Sequence, residues 1–131
     1  MKYTFSVLAI CLLLLHSHQV HSEDAEVNVF HQWPRGFYGE ISIDLEEAVE
    51  DGWQLTVTMS KPVKKVEVWN AVLDSVSADK KVYVLKNKFW NRKLEAGRPL
   101  KFRFLGVKAK FRENRPKVSA EFTRLGEGSG F

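Results

Sequence analysis

The side chains of this chain that could do chemistry are few, and four tryptophans lead them: Trp33, Trp53, Trp69 and Trp90. An indole offers a flat apolar face and a single N–H donor, which suits stacking against a flat ligand better than bond-making. A pyranose ring is such a ligand, since its apolar C–H face can lie on the indole while its hydroxyls reach neighbouring polar groups. Covalent and metal chemistry have little to work with. The only cysteine, Cys11, and three of the four histidines, His16, His18 and His21, lie in the opening MKYTFSVLAICLLLLHSHQVHS. That stretch carries Lys2, an apolar run from Phe5 to Leu15 and a polar end at Val20-His21-Ser22, which is the pattern of a secretory signal cleaved after Ser22. The run is too short to span a bilayer.

Without residues 1–22, only His31 remains among the histidines and there is no thiol. Disulfide scaffolds, Cys-ligated zinc, iron–sulfur clusters and cysteine nucleophiles are thereby excluded from the mature chain. Glycoside hydrolysis would use two carboxylates across a cleft, but the acids crowd into Asp44–Asp51, which reads as a solvated turn. His31 has no cysteine partner, and residue order alone leaves a Ser-His-Asp set open. No glycine-rich phosphate loop or metal-ligand spacing is present, so the expectation is a non-enzyme without cofactor or metal. No Asn-x-Ser/Thr acceptor for N-glycosylation occurs either.

The elements that must position the tryptophans alternate with a period of two. Ile41, Ile43 and Leu45 share one face of Glu40–Leu45, and Trp53, Leu55, Val57 and Met59 alternate with Gln54, Thr56, Thr58 and Ser60. Lys64–Asn70, Lys81–Lys86, Leu100–Leu105 and Lys117–Arg124 are further β-rich stretches. Turns are expected at Pro34–Gly36, Glu46–Gly52, Ser60–Pro62, Ala78–Lys80, Asn91–Pro99 and Arg112–Pro116. With no convincing helical stripe, the pattern predicts an all-β fold, an antiparallel β-sandwich of two sheets in the immunoglobulin-like or jelly-roll-like manner. It occupies residues 23–125, and Gly126–Phe131 reads as a frayed tail.

Strand parity divides the tryptophans. Val66 and Val68 share a face, so Trp69 joins Glu67 on the other and points to water, whereas Trp53 shares the face of Leu55, Val57 and Met59 and belongs to the core. In Lys88–Lys93, either Phe89 or Trp90 can be the inward residue. Trp33 precedes Pro34, which holds its backbone extended at the mouth of a turn. Charge is divided too: residues 23–60 carry nine acids against one base, and residues 61–131 carry eighteen bases against seven acids. The two sets either interleave on neighbouring strands or form a basic patch for an anionic partner.

Val27–Phe37, Gly52–Val57, Val68–Ala71, Phe89–Asn91 and then Leu94, Gly97 and Phe102–Phe104 resemble, in order and spacing, the successive blocks of family 2 carbohydrate-binding modules. The resemblance implies a β-sandwich with three exposed tryptophans that bind crystalline cellulose, here Trp33, Trp69 and Trp90, while Trp53 matches the family's buried tryptophan. Gly36, three residues after Trp33, matches the cellulose-binding type, in which glycine lets the ring lie flat. An arginine there turns the ring on edge for xylan. Gln32 fits the family's polar flank, but Glu40, Glu67, Lys101 and Leu105 stand where amides are commoner, and the cysteine pair of many bacterial members is missing. Glu67 beside Trp69 could accept sugar hydroxyl hydrogen bonds.

The expectation is therefore a freestanding, secreted, extracellular and monomeric cellulose-binding protein acting on β-1,4-glucans of the plant cell wall. Single-module forms of this kind resemble secreted cellulose-binding proteins of plant-parasitic nematodes. No nucleic acid or membrane partner is implied. The alternative is an effector that binds an anionic wall polysaccharide or a host cell-wall protein through its basic strands, including Lys101, Arg103, Lys108, Lys110 and Arg112.

Overall fold

A computed structural model describes residues 22–125. The signal reading of residues 1–22, Ser22 apart, and the tail reading of Gly126–Phe131 lie outside the described residues.

Eight strands follow one another: β1 (Ser22–Trp33), β2 (Gly36–Asp44), β3 (Trp53–Met59), β4 (Val63–Val68), β5 (Ala71–Val76), β6 (Val82–Asn87), β7 (Pro99–Lys108) and β8 (Val118–Arg124). All pairings are antiparallel, in the order β4-β7-β2-β1-β8-β3-β6-β5. The sheet folds over itself at β1, whose first residues Ser22–Ala25 pair with β8 while Glu26–Trp33 pair with β2. Two layers result, and the chain passes between their outer strands β4 and β5 through the two-residue corner Trp69-Asn70, with Asn70 at φ 69°. Asparagine tolerates this left-handed conformation better than most residues. The outcome is the all-β, barrel-like sandwich expected from the alternation.

The core lies between the layers. Phe37, Ile41 and Ile43 from β2 and Phe102 and Phe104 from β7 face Trp53, Leu55, Val57 and Met59 from β3, together with Leu85 and Phe122. Trp53 sits with its ring centroid 5.0 Å from that of Phe102 and 5.7 Å from that of Phe122.

The six expected turns are loops in the structure, except that Gly36 and Pro99 open β2 and β7, and β1 and β5 are strands beyond those expected. β1 escaped the reading because its inward row opens on the charged Glu23 and its chain bulges at Phe30, where Val29 pairs with Gly39 and His31 with Tyr38. β5 is an edge strand that leaves Val72 and Leu73 exposed, so its sequence does not alternate. The stretch expected as one strand over Lys64–Asn70 ends at Val68, because the corner begins at Trp69.

The two charge sets interleave. Acids of the first half meet bases of the second in Glu40–Arg103 at 3.0 Å, Glu47–Arg124 at 3.2 Å and Asp51–Arg92 at 3.7 Å.

Candidate functional site: an aromatic face

The outward surface of β4-β7-β2-β1 is set by parity. On β2, Phe37, Gly39 and Ile41 turn inward, so Gly36, Tyr38 and Glu40 turn outward. Pairing places Gly36 opposite Val107, Tyr38 opposite Leu105 and Glu40 opposite Arg103 on β7, with Glu67 of β4 beside Leu105.

Trp33 closes β1 opposite Gly36. A Cβ at position 36 would stand 3.1 Å from Cζ2 of the Trp33 ring and 2.5 Å from the Gly106 carbonyl oxygen, so only glycine lets the indole lie down on the backbone of β2. The ring remains 40% exposed. Gln32 is also exposed, across from Phe37.

Trp69 stands at the corner between the layers, held by its backbone N–H donating to the Arg103 carbonyl at 2.9 Å, and it is 48% exposed. Its ring meets Tyr38 edge-on, with centroids 6.3 Å apart, and Tyr38 in turn meets Phe30 at 6.2 Å. The Arg103 guanidinium lies over both Phe30 and Tyr38, at 5.4 and 5.9 Å from their centroids. It donates to the Tyr38 hydroxyl at 2.7 Å and to Glu40 Oε2 at 3.0 Å. These donations, the first to Tyr38, hold Arg103 above even its ordinary high pKa. Aromatic and guanidinium surface thus continues from Trp69 towards β1; the sequence offered Arg103 only as one of the basic-strand residues, and neither Phe30 nor Tyr38 was assigned to the site. The parity of Tyr38 against Phe37 and Gly39 was the signal that could have found it.

Trp90 is 56% exposed in the loop after β6, and Phe89 beside it is 89% exposed. The expectation that one of the two turns inward is corrected: the inward residue is Asn91, only 9% exposed. Its side chain donates to the Asn70 carbonyl at 2.8 Å and accepts from the Lys88 N–H at 2.7 Å, and its carbonyl accepts from Trp53 Nε1 at 2.8 Å. One asparagine therefore joins the Trp90 loop, the Trp69 corner and the core tryptophan. Trp53 itself is fully buried.

Of the polar positions that depart from the family pattern, Glu67 pairs with Lys65 at 3.4 Å, Glu40 is taken up by Arg103, and Leu105 is half-buried between Glu67 and Tyr38 in the pairing. The basic positions read along β7 and beyond do not form one surface. Lys101 and Lys108 are about 23 Å apart along the strand, and Arg103 between them is paired with Glu40.

An outward face of flat rings fixed to a rigid two-layer sheet defines a β-sandwich binding module. The family model described as Cellulose binding domain matches residues 23–122, and the chain belongs to that family of carbohydrate-binding modules. No curated protein matches the sequence. Among solved structures, the fold is similar to the chitin-binding domain of a chitinase from Pyrococcus furiosus (TM-score 0.52, 18% identity, 78% of this chain and 93% of that one). It is also similar to part of the chitinase ChiA74 from Bacillus thuringiensis (TM-score 0.51, 20% identity, 72% of this chain), of which it spans 14%. The cellulose-binding family 2 domain from ScLPMO10C aligns over 82% of this chain and 100% of its own, with TM-score 0.48 and 20% identity.

Proposed function

We propose that this chain is a secreted, non-catalytic cellulose-binding protein that stacks Trp33, Trp69 and Trp90 on β-1,4-glucan chains of plant cell walls. The observation that carries this reading is the exposure of these three indoles on fixed backbone while Trp53 is fully buried. Exposed rings of this size are out of place as packing, and the aromatic surface that runs from Trp69 through Tyr38 to Phe30 is of the kind that marks a binding site. By analogy with bases on aromatic platforms, each stack contributes about 1–3 kcal/mol, and three together reach roughly micromolar affinity after association costs. Gln32 and Glu67 flank the rings as hydrogen-bonding partners for sugar hydroxyls.

The test is a pull-down with microcrystalline cellulose in 1 M NaCl, with xylan, pectin and insoluble chitin as competitors. Stacking persists at that salt, whereas a polyanion site would lose its ligand. Binding is expected to weaken in Trp69→Ala and in Trp90→Ala with unchanged melting temperature, and to vanish in the triple variant of Trp33, Trp69 and Trp90. Full retention by the triple variant overturns the reading, and preferential competition by chitin replaces cellulose as the ligand.

A further inference from the structure

The end of the sandwich beyond Trp33 carries a second feature, made of cations. Loop 109–113 is tied to the β1–β2 turn by Lys108 N–H donating to the Arg35 carbonyl and Arg112 N–H to the Pro34 carbonyl, both at 2.8 Å. Between them opens a cleft of about 150 Å³, lined by Arg35, Lys64, Val107, Lys108, Ala109 and Phe111. Arg35 and Arg112 lie over the Phe111 ring, at 5.5 and 5.2 Å from its centroid. Lys108 is only 8% exposed, although it is a lysine. Among the described residues, none of Arg35, Lys64, Lys108, Lys110 and Arg112 has a carboxylate within ion-pairing distance. The nearby acid, Glu113, is engaged by the Lys110 N–H at 2.7 Å and by Lys61 at 3.9 Å. Five cations without a carboxylate partner thus gather at one end of the sandwich.

Lys108 is buried without a carboxylate beside it, and an anion seated in the cleft would give its ammonium a partner. The cleft has room for a carboxylate group together with part of the sugar that carries it. It also adjoins the aromatic face, because the Trp33 ring lies on Gly36 and Gly36 pairs with the lining residue Val107. We propose that this cleft is an anion site that holds the carboxylate of a uronate in an acidic polysaccharide, with Arg35, Lys64 and Lys108 around the carboxylate and Arg112 on its rim. The site is separate from the glucan platform and does not depend on it.

The test is calorimetric titration of the full chain with hexagalacturonate at 50 and 500 mM NaCl, with cellohexaose and a short DNA duplex as comparison probes. The double variants Arg35→Gln/Arg112→Gln, at exposed positions, and Lys108→Gln/Arg112→Gln are titrated in parallel, and their folding is checked by melting. Binding of hexagalacturonate that falls at least tenfold between the two salts, and at least tenfold in the exposed-residue variant, supports the proposal. Cellulose pull-down by both variants is expected to equal that of the unaltered chain, so loss of uronate binding reads on this cleft alone. No binding at 50 mM NaCl, equal binding by a folded double variant, or tighter binding of the DNA duplex overturns it.

Discussion

Trp53 and Trp69 show how one residue type is put to opposite uses by its place in the ladder. Trp53 fills the space between Phe102 and Phe122 and spends its N–H on the Asn91 carbonyl, so nothing of it is left for a ligand. Trp53→Ala should therefore cost about 3–5 kcal/mol of stability, and Trp53→Phe about 1–3 kcal/mol, because the Asn91 carbonyl then loses its donor in a buried place. Chemical denaturation of the two variants measures both figures. Parity made the division between Trp53 and Trp69 legible before any coordinates, since the valines of β4 and the aliphatic residues of β3 declare which face is dry. The same reasoning was available for Tyr38 on β2. It failed at Trp90, where the backbone is a loop and has no alternation, and the inward side chain proved to be a polar one.

At the scale of elements, the decisive connections are corners and loops rather than strands. Asn91 holds the loop of Trp90 against the corner of Trp69 through side-chain and main-chain bonds that no local pattern announces. Asn91→Ala is expected to lower stability by about 1–3 kcal/mol and to weaken cellulose binding as well, because two rings lose their common anchor. Asn91→Asp keeps the acceptor for the Lys88 N–H but sets a carboxylate oxygen against the Asn70 carbonyl in a buried place, so it should lower the melting temperature at least as far as Asn91→Ala. A binding loss equal to that of Trp90→Ala with no change in melting temperature would contradict this anchoring role. β1 and β5 were hidden from the sequence for related reasons: the inward row of β1 opens on the charged Glu23 and its register shifts at Phe30, while β5 lies at an edge where alternation is not enforced. Which strands neighbour one another was not legible either, and that is what decides the fate of the charges. Only the pairing of β2 with β7 sets Glu40 beside Arg103, and only the approach of loop 109–113 to the β1–β2 turn gathers unpaired cations at one end.

The whole molecule is one ladder folded over at β1, so a disturbance at the shared strand reaches both layers. Gly39 marks the tightest point: a Cβ there would lie 2.2 Å from the Asn28 carbonyl oxygen and 3.0 Å from the Phe104 ring, which leaves no way to fit it without parting β1 from β2. Gly39→Ala is expected to destabilise by at least ~2 kcal/mol and to do so in a single cooperative transition, read as coincident loss of tryptophan fluorescence and far-ultraviolet dichroism. Separate transitions for the two probes would mean that the layers fold independently. The double attachment of β1 also bears on what happens when a fibre is tugged. Trp33 sits at the end of a strand whose hydrogen bonds run to β2 on one stretch and to β8 on another. A pull on that ring along the strand would load many bonds side by side, in shear, instead of opening them one after another like a zipper. A protein anchored to an insoluble solid through this ring would resist detachment by flow with its strongest mechanical axis.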